Sequence, residues 1–432
     1  MNRVCRSRSR RNDRGQVIIL LAICLTVLLM FLALSVDVGF AYVTRAKLSK
    51  AVDAACLAAM KNLSQGQAAA RSVAQNTFAA NYPTSGLDVS VPVPDITFTT
   101  DAFGQTVVNV SATATIRTFF MRLIPKYKTF SVSNSAGATR GKLVMSLVLD
   151  RSGSMNNNGG STALPPAVTM FINYFDNAAD EVAMVSYASN ASVDVAINYN
   201  FKTPITNAVN AMKFAGGTFG PGGLTLAKAQ NDSVTMLPGQ NVVKVVVFFT
   251  DGYMNEIQDT FNCPAAKLIN YGGYDSGSSV DFFDPTNGTD WGGVSTKSDG
   301  SKGALPYDST PHWCQSSPNV YVTKFLSQST GQQTTFSRTA VSADAEYRAL
   351  QTATAMRTED PAMYVYAIGL GSNVDQAFLK QIANDPGSPA YNSSQPEGMA
   401  VFADKCPSSQ CTAQLQQVFQ TIAARILLRL AR

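Results

Sequence analysis

The stretch Val144-Met-Ser-Leu-Val-Leu-Asp150-Arg-Ser152-Gly-Ser154-Met155 runs from a continuous apolar segment into three side chains that carry oxygen atoms. Apolar runs of this length, bounded by polar residues, are typical of buried strands in a parallel sheet. In open α/β sheets, ligands bind beyond the carboxyl ends of the strands. The stretch therefore predicts a buried strand that delivers Asp150, Ser152 and Ser154 to a ligand site.

Two later stretches repeat this arrangement. Val242–Phe249 is a second apolar run, and it ends in Thr250-Asp251-Gly252. Between the two runs lies Gly216-Gly217-Thr218, and a helical pattern opens shortly afterwards at Gly223-Leu224. Thr225 is an alternative hydroxyl to Thr218, but it lies inside the helical pattern. Because carboxyl ends of parallel strands share one sheet edge, we expect the three loops to converge.

A DxSxS loop, a GGT loop and a TDG loop, in that order, resemble the metal-ion-dependent adhesion site (MIDAS) of von Willebrand factor A domains. The resemblance implies that Ser152, Ser154 and Thr218 offer hydroxyl groups to Mg²⁺ or Mn²⁺. It also implies that Asp150 and Asp251 act largely through bound waters. Neutral hydroxyls with only two carboxylates leave a hard divalent cation under-neutralised. We therefore expect the ion to seek one more anionic oxygen, typically a carboxylate on a protein partner.

Length and charge limit the class of protein. The chain has 432 residues, of which 45% are hydrophobic, so it can form two to four domains with real cores. Its 34 basic and 29 acidic residues give a net charge of +5. Residues 1–14 hold six arginines and one aspartate, so the rest of the chain is balanced. The basicity belongs to a predicted cytoplasmic tail (1–14), and no nucleic-acid binding is expected.

The segment that follows the tail has the properties of a membrane span. No residue of 15–36 is charged, and Val17–Leu34 is almost wholly aliphatic, which is long enough to cross ~30 Å of hydrocarbon as a helix. The arginines before it predict a cytoplasmic N-terminus and a head on the other side of the membrane. A cleavable signal peptide is an alternative, because Ala33 and Ser35 are small residues spaced for cleavage after Ser35.

An alanine-rich segment, 37–82, is a good helix former, and we expect it to continue the span as a helical stalk. The stretch RGQVIILLAICLTVLLMFLALSVDVGFAYVTRAKLSKAVDAACLAAM, residues 14–60, resembles the N-terminal segment of TadE/TadG-like proteins. That family belongs to the machinery that assembles Flp (tight-adherence) pili in bacteria, and larger TadG-like members carry a C-terminal von Willebrand A domain. The resemblance implies a bacterial inner-membrane protein with a periplasmic head.

The remaining chain divides into a β-rich part and an α/β part. Residues 83–140 alternate with period 2 at 87–91, 96–99, 107–116 and 129–132, which predicts a small antiparallel β unit that acts as a spacer. From 141 to 432, strands and helices alternate as in a doubly wound α/β domain, the expected von Willebrand A head. Besides the two apolar runs, the expected strands are 181–188, 192–197, 363–368 and 399–402. The expected helices are 162–178, 203–213, 223–235, 342–359, 374–384 and 413–430.

Residues 255–340 interrupt this alternation. The segment is rich in Gly, Ser, Asn, Asp and aromatic residues and is longer than an ordinary connection. It starts just after Asp251, so we expect an insertion that walls or covers the metal site. Asp281, Asp284 and Asp290 form an acidic cluster that could hold Ca²⁺, but a solvated surface loop is favoured because the spacing matches no known calcium loop.

Four cysteines fall in the predicted head. Cys406 and Cys411 would close a short loop, and Cys263 and Cys314 would tie the ends of the insertion. Four cysteines allow three pairings, and the two disulfides named here both suit an oxidising periplasm. There is no CxxC, and the whole chain contains one histidine, which argues against a zinc site.

Enzyme signatures are lacking. GxSxG and HExxH are absent, and residues 217–225 resemble a phosphate loop without its lysine. The leading hypothesis is therefore a binding protein of Flp pilus assembly that engages an acidic residue on a pilin or assembly partner. The alternative is a surface or secreted adhesin for a host or matrix protein, which co-purification with pilus subunits would distinguish. A third hypothesis is an enzyme that uses the insertion and His312.

Overall fold

The computed structural model describes residues 14–84, 88–90, 92–157, 159–262, 268–276, 279–283, 290–296, 302–304, 324–404 and 408–430. The chain divides into two compact units. The first comprises Met1–Asp101 and Thr106–Thr139, and the second comprises Ala102–Gln105 and Arg140–Arg432. The N-terminal tail, His312 and three of the four paired-cysteine candidates (Cys263, Cys314 and Cys406) lie outside the described residues.

A single long helix dominates the first unit. Helix α1 spans Arg14–Lys61, and its N-terminal part is the one helix among the described residues that is long and apolar enough to cross a membrane. The apolar side chains of Val17–Val36 are exposed. Further along, the small residues Ala51, Ala55 and Ala59 are buried, so this part of α1 packs closely against other elements of its unit.

The predicted stalk differs from the observed helices. The helix does not continue to residue 82: it ends at Lys61, and a 3₁₀ turn at Leu63–Gln65 leads into helix α2, Gln67–Asn81. Gly66 lies between them with φ +95°, a conformation that only glycine adopts readily. Helix α2 packs against α1, burying Ala70, Ala74 and Phe78. The segment expected to continue the span as one helix is therefore a packed pair of helices.

The small antiparallel β unit is confirmed. Its strands β1 (Asp95–Thr100), β2 (Thr106–Arg117) and β3 (Thr129–Thr139) pair in the order β1-β2-β3. Strand β2 alternates buried and exposed residues, and α1 packs on the sheet. The expected strand at 87–91 is wrong for the residues described there, since only Asp88 forms a bridge, to Ile116. A single bridge leaves this segment at the margin of the sheet.

The second unit is a doubly wound α/β domain, as expected. Six strands pair in the order β16-β15-β7-β4-β5-β6, and every neighbouring pair is parallel except β5 and β6. Strand β6 is antiparallel because only three residues separate it from β5, too few for a crossover connection. The strands are β4 (Lys142–Asp150), β5 (Glu181–Tyr187), β6 (Ala191–Asn198), β7 (Val242–Thr250), β15 (Tyr364–Leu370) and β16 (Met399–Ala403).

Helices cover both faces of this sheet. One face packs against α4, α5 and α9, and the other packs against α6, α7 and α8. The apolar side chains of α9 recur at helical spacing and are buried, and Phe419 packs against Phe171 of α4 with ring centroids 5.1 Å apart. The buried residues include Leu415, Val418, Phe419, Ile422, Ile426 and Leu430. The helices are α3 (Ser154–Asn157), α4 (Gly160–Ile172), α5 (Lys202–Asn210), α6 (Gly220–Asp232), α7 (Arg338–Thr358), α8 (Gln376–Ala383) and α9 (Ser408–Leu430).

The insertion contains strands of its own. Its described parts form an antiparallel meander in the order β12-β11-β10-β9-β8, followed by the hairpin β13-β14. The strands are β8 (Glu256–Asn262), β9 (Leu268–Ser276), β10 (Ser279–Phe283), β11 (Asp290–Thr296), β12 (Lys302–Ala304), β13 (Lys324–Leu326) and β14 (Gln333–Thr335). Of the acidic cluster, Asp281 lies in β10 and Asp290 in β11, while Asp284 lies outside the described residues. Cys411 is buried and disulfide-bonded, whereas the proposed pairings remain predictions.

Candidate functional site

The sheet topology brings two of the three loops together. Strands β4 and β7 are adjacent and parallel, with Leu149 paired to Phe249, so Asp150 and Thr250 lie at the same sheet edge. From β4 the chain first builds the sheet toward β6 and later, from β7, toward β16. The carboxyl ends of β4 and β7 therefore flank a topological switch point, where ligands of open α/β sheets bind.

The DxSxS and TDG loops form one hydrogen-bonded cluster. Asp150 accepts hydrogen bonds from the Ser152 backbone N–H and from the Thr250 hydroxyl, both at 2.8 Å. The Ser154 hydroxyl donates to Asp251 Oδ1 at 2.6 Å, and it lies 2.9 Å from the Ser152 hydroxyl. Two carboxylates and two serine hydroxyls thus face one another across the two strand ends.

The GGT loop joins this cluster through its backbone. The Gly153 N–H donates to the Gly216 carbonyl at 3.0 Å, which fixes the GGT loop against the DxSxS loop. The Thr218 N–H donates to Asn255 Oδ1 at 2.7 Å, and the Asn255 N–H donates back to the Thr218 carbonyl at 3.2 Å. Thr218 is buried and lines one cleft with Ser154 and Asp251.

The alternative hydroxyl does not lie in that cleft. The Thr225 hydroxyl donates to the Pro221 carbonyl one turn earlier in α6, at 2.9 Å. Thr225 lines a different cavity, bounded by Pro221, Arg348 and Gln351 among others. The structure therefore groups Thr218, rather than Thr225, with the residues of the other two loops.

Burial raises the free energy of the charged forms of the two paired carboxylates. Asp150 and Asp251 are both fully buried. Burial first, and the charge of Asp251 second, raise the pKa of Asp150 to about 7. Two buried carboxylates that repel each other are stabilised by a bound cation, and the hydroxyls around them supply hard oxygen ligands. The side chains at this sheet edge therefore fit a hard divalent cation.

The cleft above this cluster has a volume of about 510 Å³. The N-terminus of the 21-residue helix α7 forms part of the wall of the cleft, and its first residue, Arg338, has an exposed side chain there. Ser337 caps that helix, accepting a hydrogen bond from the Ala340 N–H. A helix N-terminus and an arginine both favour negative charge. The residues that line the cleft are Ser154, Thr218, Asp251, Gly252, Tyr253, Asn255, Arg338, Thr339, Ser342 and Asn373.

Sequence reasoning missed three contributors to the site. Thr250 was treated as part of the TDG motif, but its hydroxyl holds Asp150 in place. Asn255 positions Thr218, and only its closeness to the TDG motif could have drawn attention to it. Arg338 lies 87 positions after Asp251, near the end of the insertion, so no local spacing could have placed it at the cleft.

We expect Gly216→Ala to disturb the site without altering any ligand. Gly216 has φ +90°, and a Cβ there would lie 2.7 Å from the Ser189 hydroxyl oxygen, which accepts the Gly217 N–H. The strain and the lost contact should cost about 1–3 kcal/mol of stability and displace the GGT loop. Thermal denaturation and calorimetric Mg²⁺ titration of the full chain in detergent measure both effects.

The matched control is Gly153→Ala, on the neighbouring loop. A Cβ there meets only the Gly216 backbone, at an ordinary 3.5 Å, so this variant should remain close to the native protein in both measurements. If Gly216→Ala proves as harmless as Gly153→Ala, the GGT loop does not depend on the backbone conformation described here.

Two families match the chain. Residues 15–76 match the putative Flp pilus-assembly TadE/G-like family, and residues 145–274 match the von Willebrand factor type A domain. Both families are associated with pili or adhesion rather than with enzymatic activity. Comparison with curated proteins gives no match.

Three solved structures show partial similarity to this chain. The PilB minor pilin of Streptococcus sanguinis is 14% identical, with a TM-score of 0.40, over 78% of this chain and 79% of the pilin. The von Willebrand domain of the type V pilus tip protein Mfa5 of Porphyromonas gingivalis is 15% identical, with a TM-score of 0.36, over 66% of this chain and 96% of that domain.

The third is proximal thread matrix protein 1 of the mussel byssus, which is 13% identical with a TM-score of 0.35. The match covers 67% of this chain but only 46% of the mussel protein. In chain order, a segment that matches the TadE/G-like family therefore precedes a region that matches the von Willebrand factor type A domain.

Proposed function

We propose that this protein is a membrane-anchored component of Flp pilus assembly whose head binds a protein partner through a divalent cation. The observation that carries the proposal is the grouping of three loops from separate parts of the sequence at one sheet edge. The hydroxyls of Ser152 and Ser154 and the buried carboxylates of Asp150 and Asp251 form one hydrogen-bonded cluster. Ser154, Asp251 and Thr218 line the cleft above it. The TadE/G-like match supports the pilus assignment.

The residues of the cluster have distinct roles in this proposal. Ser152, Ser154 and Thr218 would offer hydroxyl oxygens to Mg²⁺ or Mn²⁺, and Asp150 and Asp251 would supply the negative charge that holds it. When bound, the cation would act as an electrophile for a carboxylate oxygen of the partner. Catalysis needs a nucleophile or a general base aimed at a substrate, whereas this arrangement supplies only a site for an anion. It therefore favours binding.

The second anchor for the partner is Arg338. Its side chain is exposed at the cleft and belongs to the first turn of α7. Among the residues that line the cleft, Asp251 is the only acidic one, so the opening toward solvent is neutral or positive. This charge distribution suits an acidic side chain on a pilin or on another assembly component.

The location follows from the charge pattern of the sequence. The six arginines before the apolar helix place the N-terminus in the cytoplasm, and the head then lies in the periplasm of a bacterium with an inner membrane. The disulfide at Cys411 suits an oxidising compartment. The proposed protein is thus a single-pass inner-membrane protein with a periplasmic binding head.

Metal-dependent capture of pilus subunits tests the proposal. The full chain, purified in detergent, is expected to retain Flp pilin or assembly subunits in 5 mM Mg²⁺ (about the concentration that saturates a millimolar site) and to release them in EDTA. Asp150→Ala should abolish capture while the head stays folded. Capture that survives both EDTA and Asp150→Ala would contradict the proposal. Capture of a matrix protein with no pilus subunit would favour the adhesin instead.

Arg338→Ala is expected to weaken partner capture by about tenfold, because one charge-assisted hydrogen bond to the partner's carboxylate is lost. The same variant should bind Mg²⁺ with native affinity, since Arg338 is not one of the proposed ligands. Binding of subunits to the immobilised full chain measures the first effect, and calorimetry measures the second.

Arg425→Ala is the matched control, because Arg425 is also exposed but belongs to α9 and does not line the cleft. It should leave capture unchanged. Equal capture by the two variants would remove Arg338 from the proposed binding site.

A further inference from the structure

The connection between β2 and β3 is an unusually apolar loop. We define the aromatic loop as Thr118–Lys128, which contains two 3₁₀ turns at Met121–Leu123 and Pro125–Tyr127. Most of its large apolar side chains are exposed, and Leu123 reaches 82% exposure. Such a concentration of exposed apolar surface marks an interaction site. The exposed apolar residues are Phe119, Phe120, Leu123, Ile124 and Tyr127.

Asp37 of helix α1 holds the aromatic loop in place. Its buried carboxylate accepts hydrogen bonds from the backbone N–H groups of Phe119 (2.7 Å), Phe120 (3.1 Å) and Met121 (2.7 Å). The Thr118 hydroxyl closes the loop by donating to the Tyr127 carbonyl at 2.7 Å. Three hydrogen bonds to one carboxylate are a strong local anchor. The exposed side chains therefore stand on a fixed backbone.

The anchor sets the loop beside the apolar part of α1. Phe40, one turn beyond Asp37, packs against Phe119 with ring centroids 5.2 Å apart. On the other side of Asp37, residues 26–36 of α1 and residues 120–124 of the loop line one apolar cavity of about 700 Å³. Seven residues of helix span about 10 Å, so the loop extends past the last turns of the predicted span toward Met30.

This placement identifies what covers the loop. The α1 side chains that line the cavity are exposed and belong to the segment that is long enough to cross a membrane. A bilayer around that helix reaches the loop as well, because both line the same cavity. No polar surface separates them there: the cavity residues are apolar except for Thr26.

The basic side chains of the aromatic loop favour a membrane with anionic lipid headgroups. Arg117, Arg122, Lys126 and Lys128 are exposed, and residues 117–128 include no acidic residue. Basic side chains next to apolar ones are typical of segments that lie in the interface of an anionic membrane. Each basic residue near such a surface strengthens binding by about fivefold.

We propose that the aromatic loop is a second membrane contact, which inserts its apolar side chains into the leaflet beside α1 and places its basic side chains at anionic lipid headgroups. The contact fixes the β unit against the membrane, so that the chain is held at two points rather than by a helix alone. The inference depends on the membrane anchor of the proposed function, but it does not depend on the metal site.

Quenching by brominated lipids tests the contact. The full chain is reconstituted in vesicles of phosphatidylethanolamine and phosphatidylglycerol with brominated acyl chains, and the emission of the native chain, which contains two tryptophans, is subtracted. The tryptophan added by Leu123→Trp should emit at short wavelength and be quenched about twofold or more. The tryptophan added by Thr113→Trp, at an exposed position of β2, should emit as in water and remain unquenched.

Leu28→Trp, at an exposed position of the span, separates the two proposals. Quenching at position 28 without quenching at position 123 overturns the loop contact and leaves the anchor intact. Absence of quenching at both positions overturns the anchor itself. A blue-shifted but unquenched signal at position 123 means that a protein surface, rather than lipid, covers the loop, and this also overturns the inference.

Reversing the charge of two lysines tests whether the loop contacts anionic lipid headgroups. Lys126→Glu with Lys128→Glu, introduced together with Leu123→Trp, should reduce quenching in vesicles that contain phosphatidylglycerol. The same pair should have no effect in vesicles of phosphatidylcholine alone. Equal quenching with and without the reversal in anionic vesicles would refute the role of the basic side chains.

Discussion

Asp150→Asn is expected to lower the affinity of the head for Mg²⁺ by about 100-fold while leaving the fold intact. The carboxylate carries half of the negative charge in the cluster, and asparagine removes it. The amide can keep the local structure, because its oxygen still accepts the Ser152 N–H and its NH₂ group can donate to the Thr250 hydroxyl. Calorimetric titration of the full chain in detergent measures the affinity.

The same substitution should change how stability depends on pH. Burial and the charge of Asp251 raise the pKa of Asp150 from 3.8 to about 7. A carboxyl whose pKa is raised on folding contributes stability that is fully present below its unfolded pKa and is lost as the pH rises through about 7. Through the titration of Asp150 alone, the free energy of unfolding of the metal-free native protein should be lower at pH 8 than at pH 4, by up to about 4 kcal/mol. Asp150→Asn removes that difference.

Magnesium should restore the stability that the native protein loses at high pH when Asp150 ionises. The cation competes with protons for the carboxylates, so the increase in melting temperature on adding Mg²⁺ should be larger at pH 8 than at pH 5. Asp194→Asn is the control, because Asp194 is exposed on strand β6 and does not line the cleft. An equal increase at both pH values, or one that persists in Asp150→Asn, would contradict a cation held by this cluster.

The parts of the fold that could be predicted are those encoded by continuous local patterns. Strands β4 and β7 are predictable because every residue of 143–149 is buried and all but Ser146 are apolar, and because the run 245–249 is buried in the same way. Helix α9 is predictable because its buried residues recur at helical spacing. In each case the side chains that drive packing are close together in the sequence, so the local hydrophobic pattern is sufficient to predict the element.

What could not be predicted depends on distant contacts. The alanine-rich composition of 37–82 favours helix throughout, but it cannot show that α2 packs against α1, because propensity is nearly uniform across the break. The sequence signal nearest the break is Gly66, a weak helix former that lies between the 3₁₀ turn and α2 with a positive φ. Similarly, Asp37 lies within the stretch that resembles TadE/TadG-like proteins, and only the structure shows its carboxylate bound to backbone N–H groups 82 to 84 positions away.

The candidate site contains residues that local patterns predict and one residue whose position depends on distant contacts. The motifs place Asp150, Ser152 and Asp251 at strand ends, which strand patterns alone predict. Thr218 belongs to a loop with no strand before it, and its position depends on two hydrogen bonds with Asn255 and on the contact between Gly153 and Gly216. Two of these hydrogen bonds join backbone groups, and the third joins a backbone N–H to the Asn255 side chain 37 positions away, so no local pattern of residue types predicts them. The resemblance to a known motif supplied what local physics could not.

Asp180→Ala is expected to cost the head about 3–5 kcal/mol of stability, because it breaks a buried ion pair from one side. The carboxylate of Asp180 is fully buried and accepts two hydrogen bonds from the Arg140 guanidinium, at 2.7 and 2.5 Å. It also accepts the backbone N–H groups of Leu143 (3.1 Å) and Asp176 (2.8 Å). Removing it leaves a buried cation and two backbone donors unpaired.

Two further variants separate this mechanism from a general loss of packing. Asp194→Ala removes an exposed carboxylate of β6 that accepts a hydrogen bond from the Ser192 hydroxyl, and it should cost less than about 1 kcal/mol. Adding Arg140→Leu to Asp180→Ala removes the unpaired cation and should restore part of the lost stability. Chemical denaturation of the full chain in detergent measures all three. A double variant less stable than Asp180→Ala would mean that the guanidinium stabilises the head through contacts other than Asp180. Since Asp180 holds the start of β4, whose far end carries Asp150, the destabilised head should also bind Mg²⁺ more weakly.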